Sequence, residues 1–580
     1  MLILGLHTGH NATAALYEDY RMIAAVHLER LTRKKIDGGK VPEESIDECL
    51  NIAGAQRADI DVVAMGRGKF PSRWYTHFGP HKRFYDQKVY RLIRGSEKRR
   101  WMPTELNRAG LVNSLEIFDT QQFKKAFGLA EKTDIQFYNH HFAHALPTLF
   151  HTNWDEALLY TSDGGGDCVQ YSHRVFRDET IETIYGGDEC LLQKPRVDSL
   201  GLAYGYATKA LGYKINRHEG KLTGLAAWGG ARGEQIHDLL ASHFSVNEKG
   251  EVVSDFKSRR AMRQYIFKIS DNEAKEEVAA AVQQLLELNT LSSIRKLLHH
   301  YPARRIGLAG GVFGNVRLNQ RIAEECDVDE VFVYPAMDDG GLAAGGVLHY
   351  LLQRDGLRHW LKQREIMETL YLGRDYGDRA DLEFERDDRL VKVSDQPVGK
   401  AAELIEHGSV VAIYTNRMEY GPRALGARSI MASPTDASIN DELNRRLSRT
   451  EFMPFAPVVN EDDASRVFEL SALNLYAARF MTITCSVRPQ WRERIPAVVH
   501  VDNTARPQVI RREWNPLYSD ILNCYKRNTG IPVLINTSFN IHEEPIINSP
   551  CECADALADN RVDYVVTDNA VYGQANSNNF

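Results

Sequence analysis

Residues 2–27 read LILGLHTGHNATAALYEDYRMIAAVH, and residues 157–185 read ALLYTSDGGGDCVQYSHRVFRDETIETIY. The first stretch divides into an apolar strand (Leu2 to Leu6), a polar turn (His7-Thr8-Gly9-His10-Asn11), a second strand (Ala12 to Tyr17), a tight turn at Glu18-Asp19 and a third strand (Met22 to His27). The second stretch repeats that order. A strand at Ala157 to Tyr160 meets a glycine turn, Ser162-Asp163-Gly164-Gly165-Gly166-Asp167; strands at Cys168 to Val175 and Ile181 to Tyr185 follow, separated by Arg177-Asp178-Glu179. Apolar bias, β-branched residues and turn residues carry these assignments. Two copies of strand–turn–strand–turn–strand predict an internal duplication. Two related lobes facing each other would bring both polar turns into one cleft, a place to grip a nucleotide.

Further along, the pattern becomes α/β. Arg305 to Ala309 reads as a strand, Gly310-Gly311-Val312-Phe313-Gly314-Asn315 as a turn, and a helix runs to about Glu325. A second unit runs from a strand at Val328 to Tyr334, through Asp338-Asp339-Gly340-Gly341, into a small-residue helix ending near Leu352. The chain turns polar and charged at Gln353 to Arg364, which places a domain boundary near residue 365. The expected units are therefore 1–365 and 366–580. The second has its own strands at Val410 to Thr415, Val533 to Asn536 and Val562 to Thr567. A chain of 580 residues exceeds what one hydrophobic core organises.

Composition narrows the function classes. Hydrophobic residues make up 43% and charged residues 26%, ordinary for a soluble globular protein. The formal net charge of -7 argues against holding nucleic acid by bulk electrostatics. No stretch approaches the roughly 18 apolar residues of a membrane helix, and no basic segment precedes the apolar start in the manner of a secretory signal. A cytoplasmic protein is the expectation. The eight cysteines form no C-x-x-C pair, which disfavours a zinc ribbon or a disulfide framework.

Four constellations bear on chemistry. In Asn139-His140-His141-Phe142-Ala143-His144, at a helix start, His140 and His144 are four apart and share a face, as two metal ligands would. Asp163 and Asp338 would complete a mixed N/O set suited to Fe, Mn or Zn. A plain surface histidine cluster is the competing reading, and Asp338 and Asp339, equally able to cap a helix, are not separable from sequence. The glycine turns (Gly164, Gly165, Gly310, Gly311, Gly314 with Asn315) let backbone N–H groups approach phosphate, although singly each reads as a tight turn.

In the second half, Asn416 to Ser429 reads as a shaped loop presenting Arg423 and Arg428 as planar forks for phosphate or carboxylate. Arg449, Arg506, Asn536 and Ser538 lie in comparable segments. Solvated surface arginines are the alternative, but the apolar, proline-bounded surroundings favour a polyanion site. Finally, basic and aromatic residues interleave from Arg67 to Trp101. Such a stretch binds nucleic acid in some proteins. With an acidic chain, contact with an acceptor molecule or with a second subunit in a homodimer is favoured.

Together the segments GLHTGHNATAAL, NHHFAHA, SDGGGD, GLAGGVFGN, DDGGLAAG, EYGPRALGARSI, NRRLSRTEFMPFAP, HVDNTARPQ and LINTSFNIHEEPI, in this order along nearly the whole chain, resemble the NodU/CmcH carbamoyltransferases of antibiotic and nodulation-factor biosynthesis. The resemblance implies an α/β protein with an N-terminal duplicated actin-like domain (ASKHA, TsaD-like) and a C-terminal YrdC-like domain. It implies that carbamoyl phosphate and ATP give carbamoyladenylate with release of pyrophosphate, and that the first domain passes the carbamoyl group to a small-molecule hydroxyl. By motif position, Arg423, Arg428, Arg449, Arg506 and Ser538 would hold phosphates and carbamate with Mg²⁺ assisting. His140, His144, Asp163 and Asp338 would hold an iron-type metal (Fe²⁺ or a similar divalent ion), and His10 is a candidate base for the acceptor. Some family members carry a lysine before the position of Phe452; the basic residues from Asn444 to Arg449 here are all arginines, which leaves one phosphate contact unassigned. A tRNA-modifying threonylcarbamoyl-type transferase is disfavoured by the net charge. A hydrogenase-maturation carbamoyltransferase is disfavoured by the lack of zinc-finger cysteines. A non-catalytic actin-like ATP switch remains as a rival of another class.

Overall fold

The computed structural model describes residues 1–67, 74, 118–192, 196–449 and 454–575. The interleaved basic and aromatic stretch lies outside these residues, except for Arg67 and Trp74, as does the segment 450–453.

The first half is built on two five-stranded sheets. In one, β1 (Leu2–His7), β2 (Thr13–Glu18) and β3 (Arg21–His27) form an antiparallel meander, and β4 (Val62–Gly66) and β5 (Asp134–Tyr138) add in parallel, in the order β3-β2-β1-β4-β5. In the other, β6 (Glu156–Gly166), β7 (Val169–Arg177) and β8 (Thr180–Tyr185) form the meander. A small hairpin intervenes, β9 (Phe244–Val246) with β10 (Val252–Ser254). β11 (Arg305–Ala309) and β12 (Glu330–Val333) then add in parallel, giving β8-β7-β6-β11-β12. Strand for strand, the two sheets share one order and one set of directions, so the expected duplication is present, and with it the actin-like α/β architecture. One detail differs. The segment 162–166 is the end of β6, its pairing interrupted between Ser162 and Gly166, and the reversal falls at Asp167 and Cys168, both with positive φ (47° and 67°).

Two helices of the first half cross in close contact through small residues. The helix His140–Phe150 starts where the Asn139 side chain accepts the Phe142 N–H at 2.9 Å, an N-cap. The helix Leu342–Asp355 crosses it so closely that a Cβ on Gly345 would stand 1.8 Å from the Ala143 carbonyl oxygen. Glycine here serves close packing.

The second half is an α/β unit on an eight-stranded mixed sheet: β13 (Leu390–Ser394), β14 (Val411–Tyr414), β15 (Arg428–Ala432), β16 (Ala456–Asn460), β19 (Gln508–Ile510), β20 (Val533–Ser538), β21 (Tyr564–Val566) and β22 (Val571–Gln574), with β17 (Cys485–Ser486) and β18 (Thr504–Ala505) paired apart. The halves are not beads on a linker. Tyr420, Leu425, Tyr476, Met367 and Leu370 are buried in the same apolar cluster as Trp154, Trp360 and Phe332. Among the described residues, no helix is long and apolar enough to cross a membrane.

Candidate active site

Two sites stand out. In the first, the i, i+4 spacing on the helix His140–Phe150 does what helical geometry dictates and turns His140 and His144 to one side. His140 Nε2 lies 3.2 Å from Asp163 Oδ2, and His144 Nε2 lies 3.6 Å from it. Asp163 comes from β6. The fourth donor is Asp339, whose Oδ1 is 3.6 Å from His140 Nε2 and 3.5 Å from His144 Nε2. One ligand atom from each of the four lies within 4.8 Å of the others. Asp338 faces elsewhere: its Oδ1 accepts the Gly340 N–H at 2.9 Å and its Oδ2 the Asn11 Nδ2 at 2.6 Å. The sequence reading placed Asp338 in this set; the carboxylate that converges is that of Asp339, because Asp338 is taken by the N-terminal turn as a cap.

Burial opposes charge on His144, but the Asp163 and Asp339 carboxylates outweigh it and push the ring up to about 9. Burial likewise opposes the charge of Asp163, and His140 and His144 hold its carboxyl well below the usual range. His144 Nε2 and Asp339 Oδ1 are buried without a hydrogen-bond partner. Orphaned buried polar atoms call for an explanation. Two imidazoles and two carboxylates with unsatisfied atoms turned inward are what a divalent first-row metal requires, so the residues fit such an ion.

His7 and His10 flank the cluster, with Nε2 atoms 3.7 Å and 3.4 Å from Asp339 Oδ2. Burial, opposed by Asp339, pulls His7 down to about 4, so its ring is neutral, and Nε2–H donates to the His10 carbonyl at 3.0 Å. The His10 side chain is half exposed, and Asp339 holds its ring above the ordinary value.

The second site is a cavity of about 610 Å³ between the halves. From the second half it is lined by Arg423, Arg449, Arg506, Asn536, Thr537 and Ser538. The loop bearing Arg423 is shaped from within: buried Glu419 accepts the N–H groups of Leu425, Ala427 and Arg428 on one oxygen at 2.7–3.0 Å, and Gly421 and Gly426 take φ of 103° and 104°, open to glycine at little cost. Arg449 braces the end of β20, donating to Thr537 Oγ1 at 2.7 Å and to the Ser538 and Asn540 carbonyls at 2.9 Å. Asn536 is buried, with Nδ2 donating to the Ala424 carbonyl at 3.2 Å.

Residues 2–348 match the family model for the carbamoyltransferase N-terminus, and residues 402–574 match that for the carbamoyltransferase C-terminus. The chain belongs to the carbamoyltransferase family. It is 31% identical over 578 residues to the nodulation protein NolNO of Sinorhizobium fredii, covering 96% of this chain and 78% of that one. It is 31% identical over 430 residues to the nodulation protein NolO of Bradyrhizobium diazoefficiens, covering 71% of this chain and 74% of that one. A solved HypF from T. kodakarensis matches 61% of this chain and 48% of its own at 13% identity and a TM-score of 0.30, a likeness too slight to bear on the site.

In this carbamoyltransferase, several residues singled out from sequence stand elsewhere. Arg428, expected to offer its guanidinium to phosphate, is not among the cavity's lining residues. It is the first residue of β15, a central strand, and is fully buried; Nη1 donates to the Thr415 and Ala427 carbonyls at 2.6 and 2.9 Å, and the group stacks 3.7 Å from the Tyr414 ring centre. The glycine turns, expected to shape a nucleotide cleft in the first half, lie in that half beside Asp163 and not in this cavity. Gly164 and Gly165 lie in the end of β6, and Gly310 and Gly311 lie beside it: a Cβ on Gly310 would meet the Ser162 carbonyl oxygen at 2.1 Å, and one on Gly311 would stand 3.4 Å from Asp163 Oδ1. Gly314 meets nothing within 4 Å, and Asn315 caps the helix Val316–Glu325 while bonding Gln283 at 2.8 Å.

The sequence reading also missed part of the carbamoyltransferase's cavity. Lys35, Arg217, Lys221 and Arg317 line it from the first half. No spacing rule connects them to the distant residues of the second half, although the basic run Arg33-Lys34-Lys35 after β3 was a signal available to find. His218, His542 and Glu543 also converge at its rim. The Glu543 carboxylate is already shared by Lys214, Arg217 and His218 at 2.5–2.9 Å, so this group is an ion-paired seam between the halves.

Proposed function

We propose that this carbamoyltransferase activates carbamoyl phosphate with ATP in the arginine-lined cavity and passes the carbamoyl group to a hydroxyl of a small natural-product molecule at the histidine–aspartate cluster. Water attacks the carbonyl carbon of carbamoyl phosphate, the bond to phosphate breaks, phosphate leaves, and carbamate remains. A carbamate oxygen then attacks the α-phosphorus of ATP, pyrophosphate leaves, and carbamoyladenylate forms. At the second site the acceptor oxygen attacks the carbamoyl carbon, the bond to AMP breaks, and the hydroxyl proton goes to a base.

The observation that carries this reading is the pairing of a cavity lined by Arg423, Arg449 and Arg506 with a separate four-residue N/O cluster in one chain. Arginine forks neutralise phosphate charge as pyrophosphate departs, with Mg²⁺ on the nucleotide. Seating the reaction between the halves keeps water from a labile carbamate. His140, His144, Asp163 and Asp339 would hold an iron-type divalent ion, which supplies Lewis-acid polarisation of the carbamoyl carbonyl when bound. His10, half exposed beside the cluster, takes the acceptor's proton.

The test combines full-length protein, Mg-ATP, carbamoyl phosphate and a panel of sugars, macrocycles and peptide alcohols. Carbamoyl-phosphate-dependent pyrophosphate release, and a carbamoylated alcohol by mass spectrometry, are the expected products. Pyrophosphate release that is absent in metal-replete protein would overturn the reading.

A further inference from the structure

A lysine from the first half enters the cavity on a turn whose backbone is held in an unfavourable shape. After the short helix Leu28–Thr32, Arg33 and Ile36 both adopt φ of 58°. For a β-branched residue such as Ile36 this left-handed conformation is a genuine outlier, and it persists only where the surroundings impose it. They do so here. The Ile36 N–H donates to Glu29 Oε2 at 2.8 Å, and the Lys35 carbonyl accepts Arg217 Nη2 at 2.8 Å. Between these two anchors the Lys35 side chain lines the cavity, its Nζ 3.1 Å from Glu29 Oε1.

A plain ion pair does not account for this ammonium. Glu29 is buried and already accepts Arg30 Nη1 at 2.9 Å in addition to the Ile36 N–H. One carboxylate thus contacts two cations, and although Asp338 also acts on the ammonium, cationic side chains outnumber carboxylates on the wall of the cavity, three arginines lining it from the opposite half. Partly buried charge without its own counter-ion is costly, and an anionic ligand relieves that cost. The same pair of residues fixes the opposite wall: Arg30 Nη2 donates to the Gly421 carbonyl at 2.9 Å, two residues before Arg423. Glu29 and Arg30 therefore hold the Lys35 ammonium and the Arg423 loop in one frame.

We propose that Lys35 is an anion-binding residue of the arginine-lined cavity, reaching across from the first half to hold a phosphoryl group of the carbamoyl donor or of the nucleotide, with Glu29 as its positioning residue. This deepens the activation reaction proposed above and rests on it for the identity of the anion. Burial pulls the ammonium's pKa down, opposed by Glu29.

The experiment uses the full chain with Lys35→Met, Lys35→Gln, Lys35→Arg and Glu29→Gln, and Lys40→Met as a control, since Lys40 is exposed and, among the described residues, pairs with Asp37 and Glu44. Two measurements are made: inorganic pyrophosphate binding by calorimetry, and KM for carbamoyl phosphate and for ATP in pyrophosphate release. Lys35→Met and Lys35→Gln should weaken pyrophosphate binding and raise one KM by about 10- to 100-fold, as expected for loss of a hydrogen bond to a charged group. The substrate whose KM rises identifies the phosphoryl group. Lys35→Arg should recover most of the loss, Glu29→Gln should fall between, and Lys40→Met should match the wild type. Unchanged pyrophosphate affinity and unchanged KM in folded Lys35→Gln would overturn the proposal, as would a fall in kcat alone. If wild-type protein releases no pyrophosphate yet loses pyrophosphate binding in Lys35→Gln, the activation reading fails while the anion site stands.

Discussion

The histidine–aspartate cluster and the arginine-lined cavity belong to one enzyme and are built in opposite ways. The cluster takes two of its four donors from one turn of one helix and the others from the end of β6 and the turn before the helix Leu342–Asp355, all in the same half. The cavity takes its walls from both halves and spreads its charge over at least seven cationic side chains. A local site concentrates its function in a few atoms, so one substitution should be decisive. A composite site distributes it, so each substitution should weaken it in part.

The largest expected effect follows from that contrast. His140→Ala removes an inward-facing donor of the cluster. Carbamoyl transfer should fall by at least about a hundredfold, with metal content by elemental analysis falling in parallel, while carbamoyl-phosphate-dependent pyrophosphate release stays near wild type. Arg506→Ala should reverse the pattern: pyrophosphate release falls by about 10- to 100-fold and metal content is unchanged. Equal loss of both activities in either variant would break the division between the sites.

How much of this was legible before the structure depends on the same contrast. The repeated strand order was readable because each meander is contiguous, and the turns at His7–Asn11 and Glu18–Asp19 carry their own chemistry. His140 and His144 were readable because helical spacing is a local rule. Arg428 was misplaced for a physical reason: nothing in EYGPRALGARSI marks where the loop ends, and the three N–H groups gathered by Glu419 draw residue 428 into a strand. The choice between Asp338 and Asp339 turned on Asn11, 327 positions away, and the entry of Lys35 turned on packing between halves. Long-range contacts leave no period in a sequence.

A smaller effect separates the two neighbouring aspartates. Asp339→Asn should weaken metal binding by roughly 10- to 100-fold in a chelator competition, the scale at which metal affinity responds even to outer-shell partners. Asp338→Ala should leave the metal in place and lower stability by about 1 kcal/mol through the lost cap. Metal loss in Asp338→Ala with retention in Asp339→Asn would restore the assignment drawn from sequence.

A last test, read only as a change with pH and nearly silent at pH 7, asks what sets His144 apart from an ordinary buried histidine. Where two carboxylates face the ring, as at His144, burial loses and the pKa rises. His173 has no such partners: burial, aided by the Arg174 and Arg196 charges, pulls it down to about 3. Its ring is packed 4.4 Å from the Tyr160 ring and 5.2 Å from that of Tyr171, and neither nitrogen makes a hydrogen bond. Below about pH 6.5 the unfolded chain protonates this histidine and the folded chain does not, so folding loses stability as pH falls from there toward 3, by up to about 1.4 kcal/mol per pH unit. Phenylalanine fills nearly the same shape without titrating. His173→Phe should therefore be neutral or stabilising at pH 7, and its advantage over the wild type in urea unfolding should widen steadily between pH 6.5 and 4. A constant difference across that range would mean that the His173 ring is protonated in the folded protein, and that burial without a carboxylate does not keep a histidine neutral here.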